Sequence, residues 1–141
     1  MPQTNWQIIE DKSLADVAVK VEGRDYKELL ENVALAFKEL MVTGELDNLK
    51  WINVEIEAES IEELIMKLVE FWILIKDTKN RLPITVKIAK IKFPFKDGVK
   101  IKTGVIKKDK IKGVDIKALS WHNLKVKRIN GGYQVELVFD V

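Results

Sequence analysis

Hydrophobic residues recur along the chain with two periods, and each period predicts one kind of secondary structure. A period of two is typical of half-buried strands, and it places Val17, Val19 and Val21 on one face of residues 15–22. Similar alternation recurs later in the chain, where lysine or glutamate often fills the opposite face. The segments predicted to be extended strands are 5–10, 15–22, 51–58, 84–93, 99–107, 114–129 and 133–141.

Two other stretches show helical spacing, and each follows a residue suited to capping a helix. Asp25 and Ser60 are the predicted N-caps, because their side-chain oxygens can accept hydrogen bonds from the first free backbone N–H groups. Glu28 and Glu63 follow three residues later, in the position of a capping box. The chain is therefore expected to contain two helices.

The ends of these elements and their order predict the fold class. The first helix should end near Met41 and the second near Lys76, and a slip in the alternation past Ala89 predicts a bulge. Loops and turns are predicted at Gly44–Asn48, Pro83, Asp97-Gly98 and Asn130-Gly131-Gly132. Because the strands concentrate in the C-terminal half, we expect an α+β fold with two helices packed on one face of a largely antiparallel sheet. A chain of 141 residues is expected to form a single domain, residues 1–141.

Composition excludes several classes of protein. A hydrophobic content of 47% supplies a core and argues against disorder. The absence of cysteine excludes disulfide scaffolds and Cys-ligated zinc, and a single histidine, His122, excludes a multi-histidine metal site. No charge-free apolar run reaches the roughly 18 residues of a membrane span. We therefore expect a soluble cytoplasmic protein without a membrane partner.

The net charge of +2 conceals a marked asymmetry along the chain. Residues 1–83 carry 10 basic and 17 acidic side chains, whereas residues 84–128 carry 14 basic and 3 acidic ones. The basic segment has two interpretations. It is either the solvated, lysine-coated face of a sheet, which we favour, or a surface that binds phosphate or an acidic partner.

Few residues suggest chemistry by themselves. No nucleophile and base stand in a recognisable pattern, and His122 alone supports no catalytic triad. Asp16 precedes a valine stripe on the opposite face of its strand, and Asp140 is followed only by Val141. A hard cation such as Ca²⁺ takes several oxygen ligands, which these groups supply if their strands are neighbours. From composition alone, solvated carboxylates at strand ends are the simpler interpretation.

Several parts of the chain resemble the archease family. The most specific are Asp-Ile-Lys-Ala-Leu-Ser-Trp-His at 115–122 and the closing Val-Glu-Leu-Val-Phe-Asp-Val at 135–141. Leu-Ala-Asp at 14–16 and the helix after it are similar to that family's first motif, and 61–72 is similar to its second helix. The resemblance extends over nearly the whole chain.

The resemblance implies a function and a set of site residues. Archeases are non-catalytic cofactors of the GTP-dependent tRNA-splicing ligase, whose guanylylation and repeated turnover they promote, so tRNA would be an indirect partner. The matching residues imply a metal site, calcium or another divalent cation, formed by Asp16, Asp140 and the terminal carboxylate of Val141. Lys117 is the candidate for a polar contact with the ligase or its nucleotide, or else it is one more solvated lysine.

The sequence departs from the family pattern at four positions. Ser13 and Leu14 stand where most members have His and Thr, Val105 follows Gly104 where a Glu is usual, and Trp121 replaces a Tyr. The expected metal ligands are kept while polar groups around them differ, and such groups tune metal sites strongly. We therefore expect a divergent archease, in which metal affinity or ligase activation is altered.

Two alternatives belong to other classes. A nucleic-acid-binding module would use the basic segment 84–128, but the aromatic residues there are few: Phe93, Phe95 and Trp121. A general chaperone would need an exposed apolar patch, which the sequence does not define.

Overall fold

The computed structural model describes residues 6–13, 16–42, 49–88, 91, 95–107 and 113–141, with residues 10–13 described by their backbone alone. The elements are β1 (Trp6–Ser13), β2 (Asp16–Gly23), α1 (Tyr26–Met41), β3 (Lys50–Ile56), α2 (Ile61–Lys79), β4 (Arg81–Ile88), a 3₁₀ turn (Phe95–Asp97), β5 (Val99–Lys107), β6 (Ala118–Leu119), β7 (Val126–Ile129) and β8 (Gly132–Asp140). The loop predicted at 44–48 and the bulge predicted past Ala89 lie outside the described residues.

Both helices begin at the predicted caps. The Asp25 carboxylate accepts a hydrogen bond from the Glu28 N–H at 2.8 Å, and the Ser60 hydroxyl accepts one from the Glu63 N–H at 3.1 Å. In each case the glutamate reaches back to the backbone N–H of the residue before the cap, Arg24 or Glu59, at 3.0 Å. The predicted pairs are confirmed, with the return bond one residue earlier than in the standard capping box.

The strands form two antiparallel sheets. In the five-stranded sheet β2 pairs with β1 and β8, and the far side of β8 pairs with both β6 and β7. In the three-stranded sheet β5 lies between β3 and β4. The α+β class is confirmed, but the expected single sheet is divided. Alternation reveals which face of a strand is buried, and it does not reveal which strand will be its neighbour.

The helices join the two sheets through a common core. α1 contacts β2 in one sheet and β4 in the other, and α2 contacts β4 and β6. The ring of Phe37 lies 5.2 Å from that of Trp72 and 6.1 Å from that of Phe139, so aromatic packing connects α1, α2 and β8. The Trp72 indole N–H donates to the buried Thr103 hydroxyl at 3.3 Å, which ties α2 to the second sheet.

Three predicted boundaries were wrong. Residues 114–129 are not one extended segment, because the chain turns after β6 and Asn123 adopts a left-handed conformation with φ of 60°. α2 continues to Lys79, where Asn80 ends it with φ of 54°. Pro83 lies inside β4, at a break in the register with β5. β4 is an edge strand, where the missing proline N–H is tolerated.

Candidate functional site

The register of the five-stranded sheet brings the two singled-out aspartates together. Asp16 begins β2 and Asp140 ends β8, and the two residues are direct cross-strand partners. Residues paired in this way share a face, with β-carbons roughly 5 Å apart. Their neighbours Val17 and Phe139 are buried on the core side. Asp16 and Asp140 therefore lie on the outer face of the sheet, Asp16 half-buried and Asp140 exposed.

The end of the chain is held beside this pair by backbone hydrogen bonds. The Lys117 N–H donates to the Asp140 carbonyl at 2.7 Å, and the Ser120 N–H donates to the Val138 carbonyl at 2.9 Å. Val141 is half-buried and packs against the core. The structure thus brings the predicted residues Asp16, Asp140, Val141 and the backbone of Lys117 to one edge of the sheet, where the Lys117 side chain is exposed.

A buried lysine paired with two half-exposed aspartates anchors the segment that leads to Lys117. Lys76 of α2 is only 1% exposed, and its ammonium group lies 2.8 Å from the Asp115 carboxylate and 2.7 Å from that of Asp77. Burial alone would lower the pKa of Lys76, but hydrogen bonds and charge from Asp115 and Asp77 outweigh burial and raise that pKa. Ile116, between Asp115 and Lys117, is fully buried.

The same segment is also fixed to the end of α1. The Gly113 N–H donates to the Met41 carbonyl at 3.0 Å, and the Val114 N–H donates to the Leu40 carbonyl at 2.9 Å. A β-carbon at Gly113 would come within 2.0 Å of the Leu40 oxygen, so only glycine fits here. The C-terminal ends of α1 and α2 therefore hold the segment that leads to Lys117 and β6.

The donor set at the sheet edge suits a hard cation. Within the described residues, no three His, Cys, Asp or Glu side chains gather closely enough to form a metal site by themselves. A site at Asp16 and Asp140 would therefore draw a further oxygen from the Val141 carboxylate or a backbone carbonyl, both of which suit Ca²⁺. The oxygen-only chemistry fits such an ion, and the metal site itself stays a prediction.

The residues that depart from the family pattern occupy different surroundings. The backbone of Ser13 pairs with Asp16 across β1 and β2, whereas Leu14 lies outside the described residues. Val105 is buried in the three-stranded sheet, so it is not on the sheet that carries Asp16 and Asp140. Trp121 is 58% exposed in the turn after β6.

No catalytic arrangement emerges from the hydroxyl and imidazole groups that the structure describes. The Ser60 hydroxyl caps α2, and the Ser120 hydroxyl accepts from the His122 backbone N–H at 3.1 Å. The His122 side chain is exposed in the turn. This turn places His122 at the surface, where an imidazole needs no structural partner.

One concave region was missed by the sequence analysis. A cavity of about 590 Å³ opens where the chain leaves β6 and returns as β7, and its lining residues include Trp121, Asn123, Leu124, Lys125, Lys127, Gln134 and Glu136. Glu136 and Asp140 are on the same face of β8, about 13 Å apart along the strand. The asparagine at 123, a residue that tolerates the left-handed conformation, was the one signal of this turn.

The basic segment is divided between the two sheets. Lys87, Lys100 and Lys102 lie on the outer face of the three-stranded sheet, whereas Lys125 and Lys127 lie beside the five-stranded one. Among the basic residues that the structure describes, the charge asymmetry seen along the sequence is therefore divided between two surfaces. None of the helices in the described part of the chain is both long and apolar enough to cross a membrane.

Comparisons with known proteins agree with this architecture. The chain is 29% identical to the protein archease of Archaeoglobus fulgidus over 132 residues, covering 90% of this chain and 93% of that protein. It is also 29% identical to the protein archease of Thermotoga maritima over 129 residues, covering 89% and 93%.

Solved structures show the same fold. The solution structure of Methanobacterium thermoautotrophicum protein 1598 matches with a TM-score of 0.70 at 20% identity, covering 99% of this chain and 100% of that one. The crystal structure of a Thermotoga maritima archease, called a possible chaperone, matches with a TM-score of 0.67 at 27% identity, covering 96% and 98%. Because the model of the Archease protein family matches residues 6–141, this chain belongs to the archease family.

Proposed function

We propose that this protein is a non-catalytic activator of the GTP-dependent tRNA-splicing ligase, promoting its guanylylation and repeated turnover in the cytoplasm. The single observation that carries the proposal is the cross-strand pairing of Asp16 with Asp140 at the edge of the sheet. Family membership supplies the ligase as the partner, and tRNA is then reached indirectly through the ligase. The whole chain, residues 1–141, acts as one domain in this proposal.

The paired aspartates need a counter-charge. Like charges directly opposite each other on neighbouring strands destabilise a sheet. A divalent cation, calcium in the first instance, would be held by Asp16, Asp140 and the terminal carboxylate of Val141, and would offset that repulsion. When bound, such an ion supplies a concentrated positive charge at which phosphate oxygens of a nucleotide can be arranged.

The surrounding residues prepare this edge for contact with a partner. The Asp140 side chain is exposed, and its backbone carbonyl accepts from the Lys117 N–H, so the main chain that carries the carboxylate is held in place before any partner arrives. The exposed Lys117 ammonium group is the proposed contact for the ligase or its nucleotide. Because the main chain at this edge is already ordered, binding a partner costs less conformational entropy.

The test is a guanylylation assay of the tRNA-splicing ligase from the same organism, with labelled GTP and with or without this protein and calcium. Wild type should accelerate formation of the guanylylated ligase, and Asp16→Asn or Asp140→Asn should abolish most of the acceleration. Glu136→Gln is the matched control, because it removes a carboxylate from the same face of β8 as Asp140.

Two outcomes would contradict the proposal. If both aspartate variants still accelerate guanylylation, the paired carboxylates are not required for the activity. Absence of any acceleration by wild type, together with suppressed aggregation of unrelated unfolded proteins, would favour the chaperone role suggested for the Thermotoga maritima relative.

A further inference from the structure

A second surface, on the sheet that does not carry the aspartates, combines lysines with an exposed tryptophan. We call it the lysine–tryptophan face and define it by Trp51, Asn53, Lys87, Lys100 and Lys102. The register places Trp51 opposite Gly104, and Asn53 opposite Lys102, whose other neighbour is Lys87. These side chains therefore share the outer face of the three-stranded sheet, and all five are exposed.

The tryptophan of this face is held in place with its ring accessible. Trp51 is 39% exposed, and the Lys87 ammonium group lies 4.6 Å from the centroid of its ring. Gly104 on the central strand makes room for the ring, because a β-carbon there would lie 3.3 Å from Trp51, 2.9 Å from Leu49 and 2.8 Å from Thr85. A planar group would stack on this ring in place of the Lys87 ammonium group, which would then be released to contact a phosphate.

On this face the cross-strand neighbours of Lys102 are Asn53 and Lys87, whereas Lys100 lies opposite the carboxylate side chain of Glu55. Lys87 and Lys102 are direct cross-strand partners, an arrangement of like charges that destabilises a sheet. Among the ion pairs within 4.0 Å in the described part of the chain, none involves Lys87, Lys100 or Lys102. An incoming anion would relieve the repulsion between Lys87 and Lys102, and the three lysines outnumber the single carboxylate of Glu55, so the face attracts anionic groups.

The face is also concave. A cavity of about 720 Å³ is lined by Asn53, Glu55, Lys87, Lys100 and Lys102, together with the strand positions Val54, Ile88 and Ile101. This volume lies within the range of sites that hold small organic ligands. The cavity therefore combines space with three lysines and one glutamate, and Trp51 lies on the same face of the sheet without lining the cavity.

From these observations we infer that the lysine–tryptophan face binds a single-stranded nucleic acid, with a base stacked on Trp51 and phosphates held by Lys87, Lys100 and Lys102. Surfaces that bind single strands without sequence preference combine a basic track with aromatic stacking in this way. The basic segment 84–128 by itself contains few aromatic residues, and the structure supplies the needed ring from β3. Because the aspartates lie on the other sheet, this activity is separable from the proposed metal site.

The experiment measures binding of fluorescent single-stranded oligonucleotides, RNA and DNA in separate arms, with polyphosphate as a polyanion without bases. The affinity of wild type should fall with salt, with a log–log slope of about −2 for three phosphate contacts. Lys100→Gln/Lys102→Gln should reduce that slope. Trp51→Ala should weaken binding by roughly 5-fold to 100-fold at constant slope, as expected for the loss of one stacked base.

The controls separate stacking, charge and folding. Trp51→Phe keeps an aromatic ring and should retain most of the affinity, which protects the conclusion if Trp51→Ala is poorly folded. Lys125→Gln/Lys127→Gln removes the same charge from the other sheet and should change affinity little. Polyphosphate should bind wild type and Trp51→Ala equally, because it has no base to stack.

Three results would overturn the inference. One is the absence of oligonucleotide binding by wild type at low salt. Another is a larger loss for the Lys125/Lys127 variant than for the Lys100/Lys102 variant. The third is an Lys100/Lys102 variant that binds oligonucleotides normally but no longer associates with the ligase, since this face would then be a protein-binding surface.

Discussion

Replacing Asp115 with asparagine tests whether its ion pair with the buried Lys76 positions the segment before β6. The change keeps the shape of the side chain and removes the charge that faces the Lys76 ammonium group, which is 1% exposed. Breaking a buried pair by removing one partner typically costs about 3–5 kcal/mol. Here the Asp115 side chain is 49% exposed and Asp77 remains 2.7 Å from the same ammonium group, so we expect a smaller loss in the free energy of unfolding, of about 1–2 kcal/mol.

Substituting the other partner of the ion pair, Lys76, should have a different effect on stability. Lys76→Met removes the cation and keeps a long apolar side chain in the core, while Asp77 and Asp115 are about half-exposed and can be hydrated, with side chains 51% and 49% exposed. Replacing a buried ion with an apolar group of similar volume is often neutral or stabilising. We therefore expect Lys76→Met to change the free energy of unfolding by less than about 1 kcal/mol.

The assay is urea and thermal unfolding of wild type, the two single variants and the double variant. Each kcal/mol should move the melting temperature by roughly 2–4 °C for a domain near this size. If the charge pair is responsible, Asp115→Asn should destabilise wild type and have little effect in the Lys76→Met background. Equal destabilisation in both backgrounds would refute the reasoning, because the effect of Asp115 would then not pass through Lys76.

Three further predictions concern the metal, the basic face and pH. Calcium at a hundredfold excess over its dissociation constant should stabilise wild type by about 2.7 kcal/mol. Asp140→Ala should be at least as stable as metal-free wild type, and its melting temperature should not respond to calcium. Equal calcium shifts in both proteins would exclude the site. Reversing the charge of Lys100, Lys102 and Lys107 together should leave ligase activation nearly intact in the guanylylation assay without RNA. A large loss with normal circular dichroism would show that these lysines contact the ligase itself. The pKa of Lys76 is raised in the folded state. Its contribution to stability should therefore be complete below its unfolded pKa near 10.5 and be lost as the pH rises through the higher folded value. Urea unfolding between pH 8 and pH 12 should show this decline in wild type and less of it in Lys76→Met.

The local elements of this protein were determined by the sequence alone. Asp25 and Ser60 cap the two helices as expected, because the capping bonds join residues only three positions apart. The buried positions of β8, Val135, Leu137 and Phe139, also follow directly from the alternation of side chains along a strand. The turn at Asn130-Gly131 was equally local, and Gly131 adopts the positive φ of 87° that such a turn needs.

The arrangement of the strands was decided by tertiary structure. The alternating pattern did not show that β3, β4 and β5 form a sheet of their own, because a strand's neighbours are chosen by long-range packing against the helices. The left-handed conformation of Asn123, which divides the expected strand 114–129, was equally invisible to a pattern of apolar residues.

The two candidate surfaces show the same division. Their positions at strand ends and the family resemblance singled out Asp16 and Asp140, but only the pairing of β2 with β8 makes these residues from opposite ends of the chain direct neighbours. Counting charges along the sequence was enough to identify the basic segment. Trp51 lies on the same face as lysines of that segment only because β3 pairs with β5. Sequence determined which groups were available, and the register of distant strands decided which of them share a face, because cross-strand contacts depend on pairing and not on proximity along the chain.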